Sequence, residues 1–446
     1  MSNSDPDLLK QATVDGVAAP VTGMERISSL DILRGVAILG ILVINIYAFT
    51  MPLAAYPNPL LMGGTDAVNM GVWFFTHIIF DQKFMSIFSM LFGAGIILMT
   101  GRAEEKGAKF GRIFYRRQLW LLLIGAIHGY LIWFGDILFL YAAIGMVAYL
   151  FRRKTPRTLI IVACCLLPVA ALLFSAISSQ TQQMKMIAEE ASAMVEAGEE
   201  ISAQQQAIMD QWEIQRAFAE ADEESLQKDV DTHLGSYSDI LSARIPLVIM
   251  LQIFTIFVMG LFRVLALMLL GMALMKLGVL AAEKSAGFYR KMFLICYGIG
   301  LPLTMFSAYD LNAHGFDQYY VMEKGQYANY FGSVIIGLGH IGLVMFLVKI
   351  QAAQKLMQRF AAVGRMALTN YLMHSVILTT IFYGYGLGLY GSITRIQQMG
   401  FVAAVIILQL FYSSWWLARY RFGPVEWLWR SLTYWNRQPM RRQESA

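Results

Sequence analysis

Charge is what this 446-residue chain has least of. Asp, Glu, Lys and Arg make up 15% of it against 57% hydrophobic residues, and the mean hydropathy is +0.53. That scarcity excludes an ordinary soluble domain, in which about 25% of residues are charged. Cysteine is scarcer still: Cys164, Cys165 and Cys296 are the only three, and all lie in apolar runs. Adjacent residues on one helix point apart, so no disulfide framework is expected. Residues 1–24 lack a basic stretch ahead of an apolar run, so no cleaved signal peptide is expected, and the first apolar segment is read as directing insertion. The net charge of +5 is modest and sits in the gaps between apolar runs, which favours lipid headgroups over nucleic acid as its partner.

What is present is a succession of long apolar segments. About 20 such residues are needed to cross the hydrocarbon core as a helix. About ten segments qualify, near 33–54, 71–100, 118–134, 137–151, 158–176, 246–276, 289–309, 328–348, 366–387 and 399–418. Basic residues collect in alternate gaps. Arg102, Lys106, Lys109, Arg112, Arg116 and Arg117 fill one, and Arg152, Arg153, Lys154 and Arg157 the next; the last holds Arg419, Arg421, Arg430, Arg437, Arg441 and Arg442. By the positive-inside rule these gaps are cytoplasmic, and so are both termini. The expected fold is an all-α integral membrane protein, a single bundle of about ten transmembrane helices. It divides into a cytoplasmic segment 1–32, transmembrane halves 33–176 and 244–420, an insertion 177–243 and a cytoplasmic tail 421–446. The insertion is rich in Glu, Ala and Gln and lacks Pro, so it reads as an extracytoplasmic helical cap or lid. The segment 246–276 is too long for one untilted crossing and carries Gly260 and Arg263, which predicts a kink or break.

Function is sought among polar residues at membrane depth, where an unpartnered polar group is costly. Asp31 and Arg34 open the first helix; Ser28 and Asp31 have capping-box spacing, and Arg34 can snorkel to headgroups. Asn45 lies near mid-bilayer, as helix–helix glue or as a substrate contact. His77 and Asp81, four residues apart on one face, read either as a carboxylate-oriented imidazole or as a water-facing helix start. His128 ends the third segment beside Gly129 and is the best general-base candidate, though a buried structural histidine fits as well; Asp136 after Gly135 fits an N-cap. In the ninth segment Asn370 and His374 share one face, Tyr371 and Ser375 another, either lining a site or locking helices. The stretch from Pro424 to Trp435 suits an interfacial helix.

Four ordered stretches, RISSLDILRGVAILGILVINI, GAIHGYLIWFGDIL, GRMALTNYL and FGPVEWLWRSLTYW, closely resemble the bacterial YeiB-like family, whose C-terminal half is a domain of unknown function. The resemblance spans nearly the whole chain outside 177–243 and implies a bacterial inner-membrane protein without supplying a reaction. The Leu-Asp-x-x-Arg-Gly start, here Asp31, Arg34 and Gly35, is more distantly similar to heparan-α-glucosaminide N-acetyltransferase and to membrane acyltransferases that modify envelope glycans. That similarity implies a transmembrane acyltransferase-like bundle moving an acyl group from cytosolic acyl-CoA to an extracytoplasmic or lipid-linked acceptor. The glycan enzymes carry a His where this chain has Asn45. On this expectation Arg112, Arg116 and Arg117 hold the CoA phosphates and His128 with Asp136 is catalytic. Asp31, Arg34, Asn45, His77, Asp81, Asn370, Tyr371 and His374 then line the substrate site; a homo-oligomer is allowed and no metal is expected. The alternative is a transporter or flippase for a small or lipid-linked metabolite, for which interrupted helices and midplane polar residues speak.

Overall fold

The structure, a computed structural model, describes residues 28–105, 110–219 and 222–442. The expectations placed on residues 1–27, including Arg26, and on Lys106 and Lys109 fall outside them. Sixteen helices carry the architecture: α1 Ser28–Thr50, α2 Ala67–Ile79, α3 Lys83–Glu105, α4 Gly111–Ile127, α5 Leu138–Ala148, α6 Pro156–Glu196, α7 Ala203–Ala219, α8 Glu223–Leu234, α9 Tyr237–Phe254, α10 Leu265–Lys276, α11 Ala286–Ala313, α12 Gln326–Lys349, α13 Gln354–Arg365, α14 Ala367–Phe382, α15 Arg395–Arg419 and α16 Pro424–Tyr434. Among the described residues there is no β-strand, only an isolated bridge between Tyr420 and Arg441. The chain is an all-α membrane protein.

Seven stretches among the described residues are long and apolar enough to cross a membrane: Ser28–Thr50, Ala67–Gly101, Pro156–Glu196, Tyr237–Lys276, Ala286–Ala313, Gln318–Lys349 and Arg395–Arg419. Two further expected segments are met by the shorter apolar helices Leu138–Phe151 and Ala367–Phe382. The remaining one is met by α4, prolonged by a π-helical turn, His128–Ile132.

Three of these stretches depart from a plain helix. Ala67–Gly101 breaks at Phe80–Gln82, where Gln82 takes a left-handed backbone with φ of 63°. In Tyr237–Lys276 the predicted irregularity is a π-helical stretch, Thr255–Val264, whose wider turns bring Arg263 inward to Ser333 and the Tyr330 carbonyl. The helix α6 continues unbroken across position 177. Its 41 residues span about 60 Å, twice the hydrocarbon thickness, so its second half projects beyond the membrane as the first arm of the insertion. The boundary drawn there from composition therefore falls inside one helix.

The first helix is the hub. Its apolar window is 83% buried, against 17% for that of α6, so α1 is surrounded by protein while α6 lies at the rim. Leu30, Leu33, Ala37 and Ile41 pack with Phe84, Ile87 and Met90 of α3, Leu267 of α10 and Ile341 and Met345 of α12. Two crossings are made by glycine pairs. A Cβ on Gly35 would overlap the Phe360 carbonyl, and one on Gly364 the Asp31 carbonyl, so α1 and α13 touch backbone to backbone. Gly93 and Gly271 do the same for α3 and α10 against the carbonyls of Met268 and Met90. Small residues matter here because helix association in lipid relies on close packing.

The insertion docks rather than floats. Val230 of α8 and Ile240 of α9 join a core cluster with Trp133, Phe382 and Tyr390. The Tyr390 hydroxyl donates to Asp229 at 2.8 Å, and the Tyr237 hydroxyl donates to the Leu131 carbonyl at 2.7 Å. The insertion thus covers the end of the bundle where α4 turns into α5.

These crossings yield a direct expectation. Gly364→Ala should force α13 off α1 and cost about 1–3 kcal/mol as overpacking does. The same change at Gly400, whose added Cβ meets nothing within 4 Å, should be nearly neutral. Melting temperatures of the two variants in detergent check this.

Candidate functional site

The turn between α4 and α5 builds the centre of interest. The π-helical turn begins at His128 and ends at Trp133, whose extended backbone stops the helix. Asp136 then follows Gly135. Its Oδ1 accepts the Phe139 N–H at 2.8 Å, a bond to the first turn of α5 made from one residue ahead of the N-cap, Ile137. Its Oδ2 lies 2.6 Å from His128 Nδ1, so the same carboxylate also orients the imidazole. Spacing did not predict this bond; it exists because Gly125, one turn before His128, leaves room. A Cβ there would sit 2.8 Å from Asp136 Oδ1. On the other side His128 Nε2 lies 2.8 Å from the Oγ of Ser375 on α14. His128, Ser375 and the Asp136 carboxylate are all buried.

The chemistry of this row follows from its donors and acceptors. A neutral His128 with its proton on Nδ1, directed at the Asp136 carboxylate, would leave Nε2 to accept from the Ser375 hydroxyl. That is the hydrogen-bond order of an acid–base–hydroxyl triad, recognised by geometry and not by chain order. Tyr371, one turn before Ser375, flanks the imidazole with ring centres 5.3 Å apart. Its hydroxyl donates to the Gly135 carbonyl at 3.1 Å and accepts the Ile137 N–H at 3.2 Å, tying α14 to the turn.

Tyr371 also lines a cavity of about 230 Å³ that opens toward the arginine-rich end. Its walls are largely apolar, with Phe88, Leu91, Leu121, Leu138 and Leu368. Its mouth carries Arg34, Arg117, Arg365 and Arg430 with Asp31 and Glu426. The Arg117 guanidinium lies 3.5 Å over the Trp429 ring, and the Trp429 indole donates to the Arg117 carbonyl at 2.9 Å. Gln118, 1% exposed, lines the cavity with an Oε1 that has no partner among the described residues. Of the three arginines expected to hold phosphates, only Arg117 reaches this cavity. Arg112 is exposed, and Arg116 lies 5.7 Å from the Trp435 ring. Arg34, 2.8 Å from Asp31 Oδ1, is also present at the mouth. Arg365 and Arg430 were missed because they belong to α13 and α16, remote in sequence.

The other expected residues separate from this site. Asn370 donates to Ser413 and the Val363 carbonyl, and His374 Nε2 lies 2.8 Å from Gln409 Oε1. These two form a lock between α14 and α15. Asn45 makes no side-chain hydrogen bond among the described residues and is not a polar lock. It shares a face of α1 with Ile38, which packs with Tyr371, and with Phe49, stacked on Trp133 at 3.9 Å.

His77 and Asp81 lie at the break between α2 and α3, in a buried polar cluster rather than facing water. Asp81 accepts from Tyr56 and Asn329, both at 2.8 Å. Lys83 donates to the His77 carbonyl and to Asn329. His77 stacks on Trp73, and its Nδ1 stands 3.5 Å from Asp81 Oδ2. A second cavity of about 120 Å³, lined by Tyr47, Tyr56, His77, Asp81 and Gln326, adjoins this cluster.

The helix α16 supports the main site through α14. Glu426 caps α14, accepting the Leu368 and Thr369 N–H groups at 2.7 and 3.0 Å and the Thr369 hydroxyl at 2.5 Å. Burial raises its carboxyl above the ordinary range, and these hydrogen bonds only partly offset it. A raised folded-state value means that its contribution to stability is fully present below the unfolded carboxyl range and is lost as pH rises through the folded value. Glu426→Ala should cost about 1–2 kcal/mol as a lost cap. Glu426→Gln should flatten the pH dependence of melting above the ordinary carboxylate range, and thermal scans across that range check both.

A family model described as a protein of unknown function (DUF418) matches residues 274–436. No solved structure matches the chain. The uncharacterised protein YxaH of Bacillus subtilis is 32% identical over 95% of this chain and 98% of its own length. The uncharacterised protein YeiB of Escherichia coli is 31% identical over 92% of this chain and 97% of its own, and an uncharacterised 39.9 kDa protein of Bacillus acidopullulyticus is 26% identical over 96% and 99%. The matches run through both halves and the hairpin that bears His128, and the chain belongs to the YeiB-like family of DUF418 membrane proteins.

Proposed function

We propose that the chain is an integral-membrane acyltransferase of the bacterial inner membrane, with both termini cytoplasmic, that passes an acyl group from cytosolic acyl-CoA to an acceptor hydroxyl or amine. One observation carries the reading: a buried Asp136–His128–Ser375 row stands directly behind Tyr371, at the deep end of a cavity with an arginine mouth. The charge of Arg34, Arg117, Arg365 and Arg430 suits the phosphates of a nucleotide left at the membrane surface. The apolar walls suit an acyl-pantetheine arm, and the unpartnered Gln118 oxygen suits one of its amide N–H groups. His128, its tautomer set by Asp136, serves as general base. Asn45, on the face of α1 turned to Trp133 and Tyr371, is placed for the acceptor. A glycan or lipid-linked acceptor would enter from the end covered by the insertion.

A second reading, transport of a small metabolite, draws on the break at Phe80–Gln82 and its cluster of His77, Asp81 and Lys83 beside the smaller cavity. Uptake into proteoliposomes without any thioester would favour it.

Two measurements test the proposal. His128→Gln, which keeps a hydrogen bond but takes up no proton near neutral pH, should lower acyl-CoA-dependent release of CoA thiol roughly 10²- to 10⁴-fold with little change in melting. A Gln variant with full turnover would remove His128 from catalysis. Reporters fused after 283, 356 or 440 should read cytoplasmic and those at 60, 210 or 318 the opposite side; a cytoplasmic 210 would put the insertion and the acceptor route on the wrong face.

A further inference from the structure

Serines and threonines inside these helices commonly turn their hydroxyl back to the carbonyl four residues earlier, as Thr50, Ser86, Ser89, Thr100, Thr304 and Thr380 do. This is the cheap way to satisfy a hydroxyl in an apolar medium. Ser375 does not do it. Fully buried in the middle of α14, its hydroxyl is held by the imidazole of His128 instead. An imidazole Nε2 at 2.8 Å from a hydroxyl, with a carboxylate 2.6 Å from its Nδ1, is the arrangement that converts a hydroxyl into a nucleophile. A structural lock between α14 and the α4–α5 turn already exists in Tyr371, whose hydroxyl bonds both sides of Asp136. The Ser375 contact is therefore redundant as a fastening.

We propose that Ser375 is the nucleophile of a two-step transfer and carries the acyl group as an ester before the acceptor takes it. This rests on the acyl-transfer reading and adds a covalent intermediate to it. In the first step Ser375 Oγ bonds to the thioester carbonyl carbon while its proton passes to His128 Nε2. The carbon–sulfur bond breaks, and the CoA sulfur leaves with that proton as the thiol. In the second step His128 takes the proton of the acceptor hydroxyl or amine, whose oxygen or nitrogen bonds to the acyl carbon. The Ser375 oxygen leaves and recovers the proton, so the enzyme returns unchanged. Position agrees with this order of events. Tyr371 marks the deep end of the cavity, and Ser375 lies four residues further along the same face, about 6 Å along the axis. The insertion covers the opposite end, where Trp133 and the Leu131 carbonyl meet α8 and α9. An acyl-serine at this depth would let donor and acceptor approach from opposite sides in turn, never needing to meet.

A small alkyl fluorophosphonate tests the nucleophile without knowledge of the natural donor. Applied to the full-length protein in detergent, it should leave one adduct on Ser375 by peptide mass spectrometry. The adduct should be absent from Ser375→Ala and form roughly 10²- to 10⁴-fold more slowly in His128→Gln. With acetyl-CoA or palmitoyl-CoA as donor, Ser375→Ala should lose CoA release by a similar factor, and Ser375→Cys should trap an acyl-thioester of the corresponding mass. Melting curves of each variant separate misfolding from lost chemistry. Absence of a Ser375 adduct, or a folded Ser375→Ala that releases CoA at the wild-type rate, overturns the covalent step. If His128→Gln is then still inactive, direct transfer by His128 stands. If the wild type consumes neither thioester and gains no adduct, the acyl-transfer reading falls with it.

Discussion

Little water is available at membrane depth, so a polar group there is costly unless it finds a partner inside the chain. The architecture follows from this demand. Lys83 is buried and bonds the carbonyl freed where α2 ends, which is how a helix break is tolerated between Phe80 and Gln82. Arg263 is buried by a π-helical stretch that aims it at Ser333 and the Tyr330 carbonyl. Arg395, also buried, gathers the carbonyls of Pro59, Met62 and Gly64 and holds the loop after α1 against α15. Lys83 and Arg395 thus meet carbonyls at a helix break and in a loop, while Arg263 meets a hydroxyl and a helix carbonyl.

The same constraint separates two kinds of polar residue on α14. Asn370 and His374 point to α15 and bond a hydroxyl and an amide that take up no proton near neutral pH, Ser413 and Gln409, with His374 Nδ1 left unpartnered among the described residues. Tyr371 and Ser375, each one position on, point to the α4–α5 turn and meet a histidine with its own carboxylate. A rotation of about 100° per residue thus divides a face turned to amide and hydroxyl groups from one turned to an imidazole–carboxylate pair. The short length of α14 matters here. Its 16 residues span about 24 Å, less than the hydrocarbon core, and Glu426 of α16 accepts the Leu368 and Thr369 N–H groups in its first turn. The arginine-mouthed cavity lies where α14 stops short and α16 closes the gap.

The hub position of α1 follows from its glycines as much as from its apolar residues. Backbone contact with α13 at Gly35 and Gly364 brings Asp31, Arg34 and Arg365 to one mouth. The second pair, Gly93 and Gly271, sets α3 against α10 and fixes the depth of Phe88 and Leu91 in the cavity wall.

By itself the sequence determined the class of fold and the approximate positions of the apolar segments, though not their ends. Both follow from local hydropathy and from the gathering of charge in gaps, and neither needs a partner helix. It also marked His128, Asp136 and Tyr371, because polar residues in an apolar run stand out by composition alone. Only the tertiary structure decided which of them meet. Asp136 reaches His128 through space that Gly125 leaves open, and Ser375 reaches it across 247 residues of chain. His374, the more conspicuous neighbour, turns away to Gln409. Likewise Arg112 and Arg116 were conspicuous as part of a basic run, yet Arg365 and Arg430 occupy the mouth. Periodicity states which residues share a face, but the neighbour that face meets is set by packing between helices distant in sequence.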